Sequence, residues 1–344
     1  MSTTPKILCI GNPLLDISTH VEMTIFEKYG LQLNNAILAD EKHLPLYKEI
    51  IETGTVEYIP GGAAQNSARV CQWMLNTPHT VCYTGCVGKD ANGKILADAT
   101  AANGVLVRYQ EDPVEPTGAC AVLINKKERS LCTSLGAANK FNISHLQTDV
   151  MQSIIKGADF FYMVGYFLTV SPDSAMYLAK HAAEQNKAFI YGLAAPFLIQ
   201  VPFFFERVSA LLPYCDIVFS NESEAEVLGT KMGWGTDLKV IAEKLAQWEK
   251  VNSKRSRIVV FTQGADSTIV YDQGKISTYQ PIKLDSDKIV DLNAAGDSFS
   301  GGFLAAYSLG KSIEKCCEAG HYAAMEIIQQ NGCSFPSKRS FDLE

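Results

Sequence analysis

Asp291-Leu292-Asn293-Ala294-Ala295-Gly296-Asp297-Ser298-Phe299-Ser300-Gly301-Gly302 joins a loop to the start of a helix. Ala295 and Gly296 are small enough to let backbone approach a ligand closely. The N–H groups at a helix N-terminus, with the positive end of its dipole, bind phosphate oxygens. A carboxylate in that first turn, here Asp297, is placed to take a proton from an incoming hydroxyl. Phosphoryl transfer needs little beyond positioning, charge stabilisation and such a base. An acid in the first turn is also ordinary helix chemistry, and Gly301-Gly302 also suits close helix packing.

A second junction stands upstream, at Tyr58-Ile59-Pro60-Gly61-Gly62-Ala63-Ala64-Gln65-Asn66. Paired glycines permit backbone conformations closed to other residues, and Asn66 falls one turn into the following helix. Gly11-Asn12-Pro13-Leu14-Leu15-Asp16 leaves the first strand at what is predicted to be the carboxyl edge of a sheet, where ligands bind in open α/β folds. An Asp there suits paired hydrogen bonds to vicinal hydroxyls. A third site is Asn221-Glu222-Ser223-Glu224. Asn221 and Glu224 share one helix face and fit a water-bound Mg²⁺. The same spacing is that of a capping box. Thr262-Gln263-Gly264 ends a further strand.

Between these junctions, apolar runs alternate with helical patterns. Residues 7–10, 80–87, 160–164, 188–191, 216–219 and 257–262 look like strands buried on both faces of a parallel sheet. Helices are predicted over 64–75, 93–102, 172–184, 204–211, 222–228, 237–249, 296–309 and 312–330. The alternation implies right-handed βαβ units and an α/β layered domain. Two segments break it. Residues 15–60 mix strand-like pieces (17–22, 36–38, 55–59) with a helix over 41–51. Residues 117–135 hold two β runs around the polar turn Asn125-Lys126-Lys127-Glu128, a hairpin signal. These insertions are expected to form one small β-rich unit, against a large domain of residues 1–14, 61–116 and 136–344.

Composition narrows the class. The 344 residues are 47% hydrophobic and 19% charged, so wholesale disorder is excluded. Thirty Lys+Arg against 37 Asp+Glu give −7, which disfavours a duplex nucleic-acid binder. Ten cysteines lie mostly within apolar runs, as expected of buried thiols in a reducing compartment. No signal-peptide pattern is present, and the most apolar stretch, 160–170, is too short for a membrane span of about 20 residues. A soluble cytosolic protein without membrane or nucleic-acid partners is expected. Neither a P-loop nor a Gly-x-Gly-x-x-Gly after the first strand occurs.

In this order and spacing, Asp16, Gly61-Gly62 with Asn66, Asn221-x-x-Glu224, Gly264 and Ala295-Gly296-Asp297 resemble the ribokinase-like carbohydrate kinase family over essentially the whole chain. Gln65-Asn66-Ser67, Pro116-Thr117-Gly118, the run from Gly165 to Pro172, Phe261-Thr262-Gln263-Gly264 and Ala319-Gly320-His321-Tyr322 look like its adenosine-phosphorylating branch. The resemblance implies a three-layer α/β/α domain with a mostly parallel sheet and a discontinuous β-rich lid. It implies transfer of the γ-phosphoryl group of ATP to the adenosine 5′-hydroxyl, with Mg²⁺, by a monomer. By analogy Asp297 is the general base, and Ala294, Ala295 and Gly296 form the anion hole. Arg129 reaches the transferring group when the lid closes. Asn12, Asp16, Gly61, Gly62 and Asn66 hold the ribose. Phe167 stacks on the purine, with Leu14, Leu38, Cys120, Leu131 and Leu135 around it. Asn221 and Glu224 organise Mg²⁺ and phosphate, and Thr262, Gly264, Asn293 and His321 line the ATP site. The mostly apolar lid segments independently favour a ligand with a flat, partly apolar portion.

The chain departs from the family pattern at several places. Leu292 and Ala294 stand for Thr and Gly, so a left-handed backbone at position 294 costs on the order of 1 kcal/mol. Ala36 stands for a purine-contacting Gln, Ala63 for Ser and Gly192 for Asn. A kinase of the same fold for another nucleoside or a sugar, and a non-catalytic nucleoside-binding protein, stay open on sequence alone.

Overall fold

A computed structural model of the chain describes residues 4–33, 35–53, 55–125 and 128–343. The apolar runs assemble into one sheet. Among the described residues it has nine strands, in the order Lys275–Tyr279, Asp266–Asp272, Ile258–Gln263, Ile217–Asn221, Ala188–Gly192, Phe160–Val164, Ile7–Ile10, Val81–Thr84 and Leu106–Val107. From Ile258–Gln263 to Leu106–Val107 every neighbouring pair is parallel. Alternate residues of these strands enter two separate cores. Leu8, Ile10, Phe161, Phe189 and Val218 point to one, and Ile7, Cys9, Tyr162, Ile190 and Ile217 to the other. Helices cover both faces, which is why the strands read as continuous apolar runs.

The expected run 80–87 breaks into Val81–Thr84 and Cys86–Gly88, and the second piece pairs with Gln110–Asp112 in a small sheet of its own. The edge hairpin Asp266–Asp272 and Lys275–Tyr279 was not predicted. Its strands are antiparallel and half-exposed, so they carry no continuous apolar run. The legible signal is the two-residue turn Gln273-Gly274, both with positive φ.

A second sheet holds Ala36–Leu38, Glu128–Ser134, Ala119–Asn125, Leu14–His20 and Glu57–Gly61 side by side. The predicted hairpin 117–135 is its antiparallel centre, with the turn residues Lys126 and Lys127 outside the described residues. The helix expected over 41–51 is a 3₁₀ turn Glu41–His43 followed by an α-helix Leu44–Thr53. That helix and Met23–Tyr29 cover one face, burying Ile17, Phe26, Leu46, Ile50, Ala121, Leu123 and Cys132. The opposite face carries another set. Asp16, Cys120, Thr133 and Leu38 stand side by side across four strands, and Leu131 and Arg129 follow at steps of two along theirs. Leu38 is 66% exposed there.

The Ala295–Ser308 helix packs between Ala63–Leu75 and Ile313–Ile327. A side chain at Gly301 would strike the Ser67 carbonyl, and one at Gly302 the Ala319 carbonyl, so this glycine pair serves helix packing. Among the described residues no helix is long and apolar enough to cross a membrane, and all ten cysteines are free and buried.

Candidate active site

The carboxyl ends of the parallel strands converge with the open face of the second sheet. Ala294 caps the Ala295–Ser308 helix with φ 65° and ψ 6°, a left-handed conformation that costs an alanine strain. Gly296 is exposed, with nothing packed over its Cα. First-turn N–H groups project beyond the helix end there. Asn293 is exposed and donates its N–H to Asp291 Oδ1 at 2.9 Å.

Asp297 follows in the first turn. Its Oδ2 accepts a hydrogen bond from Asn66 Nδ2 at 3.1 Å. Burial pushes its carboxyl up to about 7; the Asn66 bond opposes the shift and the charge of Glu224 adds to it. A group near 7 is matched to general base chemistry at neutral pH.

Asp16 sits directly over Gly61, where any side chain would overlap its carboxylate. Burial raises Asp16 to about 7 as well, opposed by Arg69 and reinforced by Asp291 and Asp297. Gly62 has φ 90°, and a side chain on it would strike the Asn12 carbonyl. Three successive carbonyls of this turn are held. Pro60 accepts from Arg69 Nη1 at 2.9 Å, Gly61 from Gln65 Nε2 at 2.8 Å and Gly62 from the Asn66 N–H at 2.8 Å. Asn12 donates to the Tyr166 carbonyl at 3.5 Å. The Oδ1 atoms of Asn12 and Asn66 are buried without a hydrogen-bond partner. Buried acceptors without donors are costly, and ligand hydroxyls would supply what they lack.

Asn221 and Glu224 do form the capping box. Asn221 Oδ1 accepts the Glu224 N–H at 2.8 Å, and Glu224 Oε2 accepts the Asn221 N–H at 3.1 Å. Glu224 is also buried, which raises its pKa, and its charge reaches Asp297. Its carboxylate contacts the backbone N–H of Ala194, itself left-handed at φ 77°. Thr262 pairs in register with Asn221, and Gly264 lies at an exposed turn with φ 57°. Among the described residues no three His, Cys, Asp or Glu side chains are grouped to hold a metal. A buried carboxylate already engaged in a cap fits a hydrated Mg²⁺ held through water and does not fit a closed metal cage.

Arg129 crosses from the second sheet. Its Nη1 meets Asp291 Oδ2 at 2.6 Å and its Nη2 meets Asn331 Oδ1 at 2.7 Å, so it is tied to the loop that leads to Asp297.

Two of the expected site residues are closely packed in this structure. Phe167 is 1% exposed and makes a T-shaped contact with Phe141 at 5.3 Å, while the neighbouring Tyr166 is exposed. His321 is buried, bonded through Nε2 to Thr268 Oγ1 at 2.8 Å and tilted against Phe299; burial lowers it to about 4, so it is neutral. Conversely, Arg69, Gln65 and Ala194 were not anticipated. A buried arginine inside a helical pattern reads as a surface residue, and backbone strain leaves no mark in composition.

A model of the "pfkB family carbohydrate kinase" matches residues 23–339. The chain belongs to this family. It is 68% identical over 332 residues to an adenosine kinase of Dictyostelium discoideum, covering 96% of this chain and 97% of that one. An Anopheles gambiae adenosine kinase structure in complex with P1,P4-di(adenosine-5) tetraphosphate superimposes with TM-score 0.90 at 44% identity, over 98% of this chain and 99% of that one. A Schistosoma mansoni adenosine kinase with 2-fluoroadenosine gives TM-score 0.89 at 34% identity, over 98% of each chain.

As a pfkB kinase the chain has the parts phosphoryl transfer needs. A carboxylate near 7 stands at a helix N-terminus, buried unpartnered acceptors suit hydroxyls, and an arginine stands beside the loop that leads to the helix.

Proposed function

We propose that this chain transfers the γ-phosphoryl group of ATP to the 5′-hydroxyl of adenosine, giving AMP and ADP. One observation carries the assignment. Asp16, Asp297 and the unpartnered oxygens of Asn12 and Asn66 form a cluster of acceptors beside an apolar sheet face. A ribose supplies the hydroxyl donors, and a purine covers Leu14, Leu38, Cys120, Leu131 and Leu135. Names of relatives at up to 68% identity support the same substrate.

Asp297 accepts the proton of the 5′-hydroxyl, held towards Asn66 until substrate arrives. Ala294, Ala295 and Gly296 present backbone N–H groups to the transferring phosphoryl group. Arg129 leaves Asp291 and adds its charge to that group. Asp16, with Asn12, Gly61, Gly62 and Asn66, orients the sugar. Asn221, Glu224, Thr262, Gly264 and Asn293 border the ATP phosphates, with His321 shaping the wall behind them. Glu224 and Asn221 would hold Mg²⁺ through water, and the ion would neutralise charge on the phosphates. The five-stranded sheet acts as a lid over the site. Phe167 stacks on the purine. We place the enzyme in the cytosol as a monomer without nucleic-acid partners, a reading supported by its buried free thiols.

Competition among adenosine, inosine, guanosine and ribose, with ATP and Mg²⁺, tests the assignment. AMP is the expected main product. A clear preference for ribose would contradict it.

A further inference from the structure

Arg69 lies one turn beyond Asn66 and is 4% exposed. Its Nη1 donates to the Pro60 carbonyl at 2.9 Å and its Nε to Asn103 Oδ1 at 2.8 Å, while Phe335 covers it with its centroid 5.4 Å away. The hydrogen bonds thus go to neutral oxygens, and the buried charge has no ion pair to balance it there. Burying a cation is expensive, and an apolar side chain of similar length would fill the space at lower cost. Pro60 leads straight into Gly61, the residue on which Asp16 rests. Gln65, fully buried, holds the next carbonyl, and its own Oε1 accepts the Tyr109 hydroxyl.

We propose that Arg69 is a positioning residue for the nucleoside: by holding the Pro60 carbonyl it fixes the Pro60-Gly61-Gly62 turn beneath Asp16, the carboxylate that receives the ribose hydroxyls. The inference rests on the adenosine assignment above. The charged and titratable groups around Asp16 are Arg69 from the helix, Asp297 and Asp291 from the catalytic loop and helix, and Cys120 from the adjacent strand. Cys333 lies near both carboxylates and Arg69 from the C-terminal segment. Both thiols are pushed up and stay neutral, and both other carboxylates oppose ionisation of Asp16. Arg129, on the same sheet face, is ion-paired with Asp291 at 2.6 Å, and Arg69 is the cation that acts on Asp16 itself. Without it Asp16 holds its proton to higher pH.

The test compares Arg69→Met and Arg69→Lys with the wild type in adenosine KM, ATP KM, kcat and the pH profile of kcat/KM for adenosine. Arg69→Met should raise adenosine KM about tenfold with little change in ATP KM, the loss of a charge-assisted bond and of ionised Asp16 together. Its acid limb should move up by roughly one pH unit. Arg69→Lys keeps the charge and loses the forked geometry, so KM should rise about threefold with the limb nearly in place. A purely structural arginine predicts lower melting temperatures with KM and the limb unmoved in both variants, and that result overturns the proposal. If Arg69→Met does not fold, an unchanged adenosine KM in Arg69→Lys overturns it alone. A wild type that leaves adenosine unphosphorylated overturns the assignment beneath it. An active wild type with indifferent variants removes only the role of Arg69.

Discussion

Ala294 holds a left-handed backbone that glycine adopts without strain. Replacing it by glycine removes that strain at some cost in unfolded-chain entropy, so Ala294→Gly should stabilise by about 0.5–1 kcal/mol, read by urea unfolding. Asp297 gives a second effect. Its folded pKa of about 7 lies above that of an unfolded aspartate, so the fold favours the protonated form. Stability carried by that proton is present at low pH and lost as pH rises through 7. Asp297→Asn, uncharged throughout, should melt a few degrees above wild type at pH 8, with the gap narrowing by more than half at pH 5 and closing below about pH 4. Equal melting curves at both pH values would show that burial does not burden this carboxylate. The identities of Asp16, Asn66 and Asp297 were legible because small and acidic residues at strand-to-helix junctions have a chemical reason to be there. The strain at Ala194 and the burial of Arg69 were not, because both depend on neighbours distant in sequence.

Elements were legible where burial is two-sided. Ile7–Ile10 and Phe160–Val164 appear as unbroken apolar runs because helices cover both faces. The hairpin Asp266–Tyr279 was missed because its exposed side mixes Ser, Asp and Lys into the pattern. The Glu222–Lys231 helix is a third case, since its capping box and its charge reside in one residue. Glu224→Gln keeps an acceptor for the Asn221 N–H but removes the charge. It should melt within about a degree of wild type while kcat falls at least tenfold, whereas Glu224→Ala should also lose about 1 kcal/mol with the cap. If Gln and Ala variants lose the same activity and stability, the cap is the whole role of Glu224.

At the scale of the molecule, the site exists only where two sheets meet. The nine-stranded sheet supplies Asn12, Asn221 and the catalytic helix behind it; the five-stranded sheet supplies Asp16, Cys120, Leu131 and Arg129 on one face. That division was visible in the sequence as two interruptions of the strand–helix alternation. Their shared face was not visible, because it follows from the pairing of Asp16 with Cys120 and of Cys120 with Thr133. The net charge of −7 likewise says nothing of the proposed polyanion site, for which a helix N-terminus and Arg129 are the local candidates. Asp297, held by Asn66 at this junction, is the proposed base that activates the adenosine hydroxyl. The most direct test is AMP formation from adenosine, ATP and Mg²⁺ by wild type and Asp297→Asn across pH 5.5 to 9. Wild-type kcat should fall as pH drops below about 7, and the variant should lose about 10²–10⁴-fold at pH 8 while still binding adenosine. A variant that keeps most of the wild-type rate would contradict the assignment.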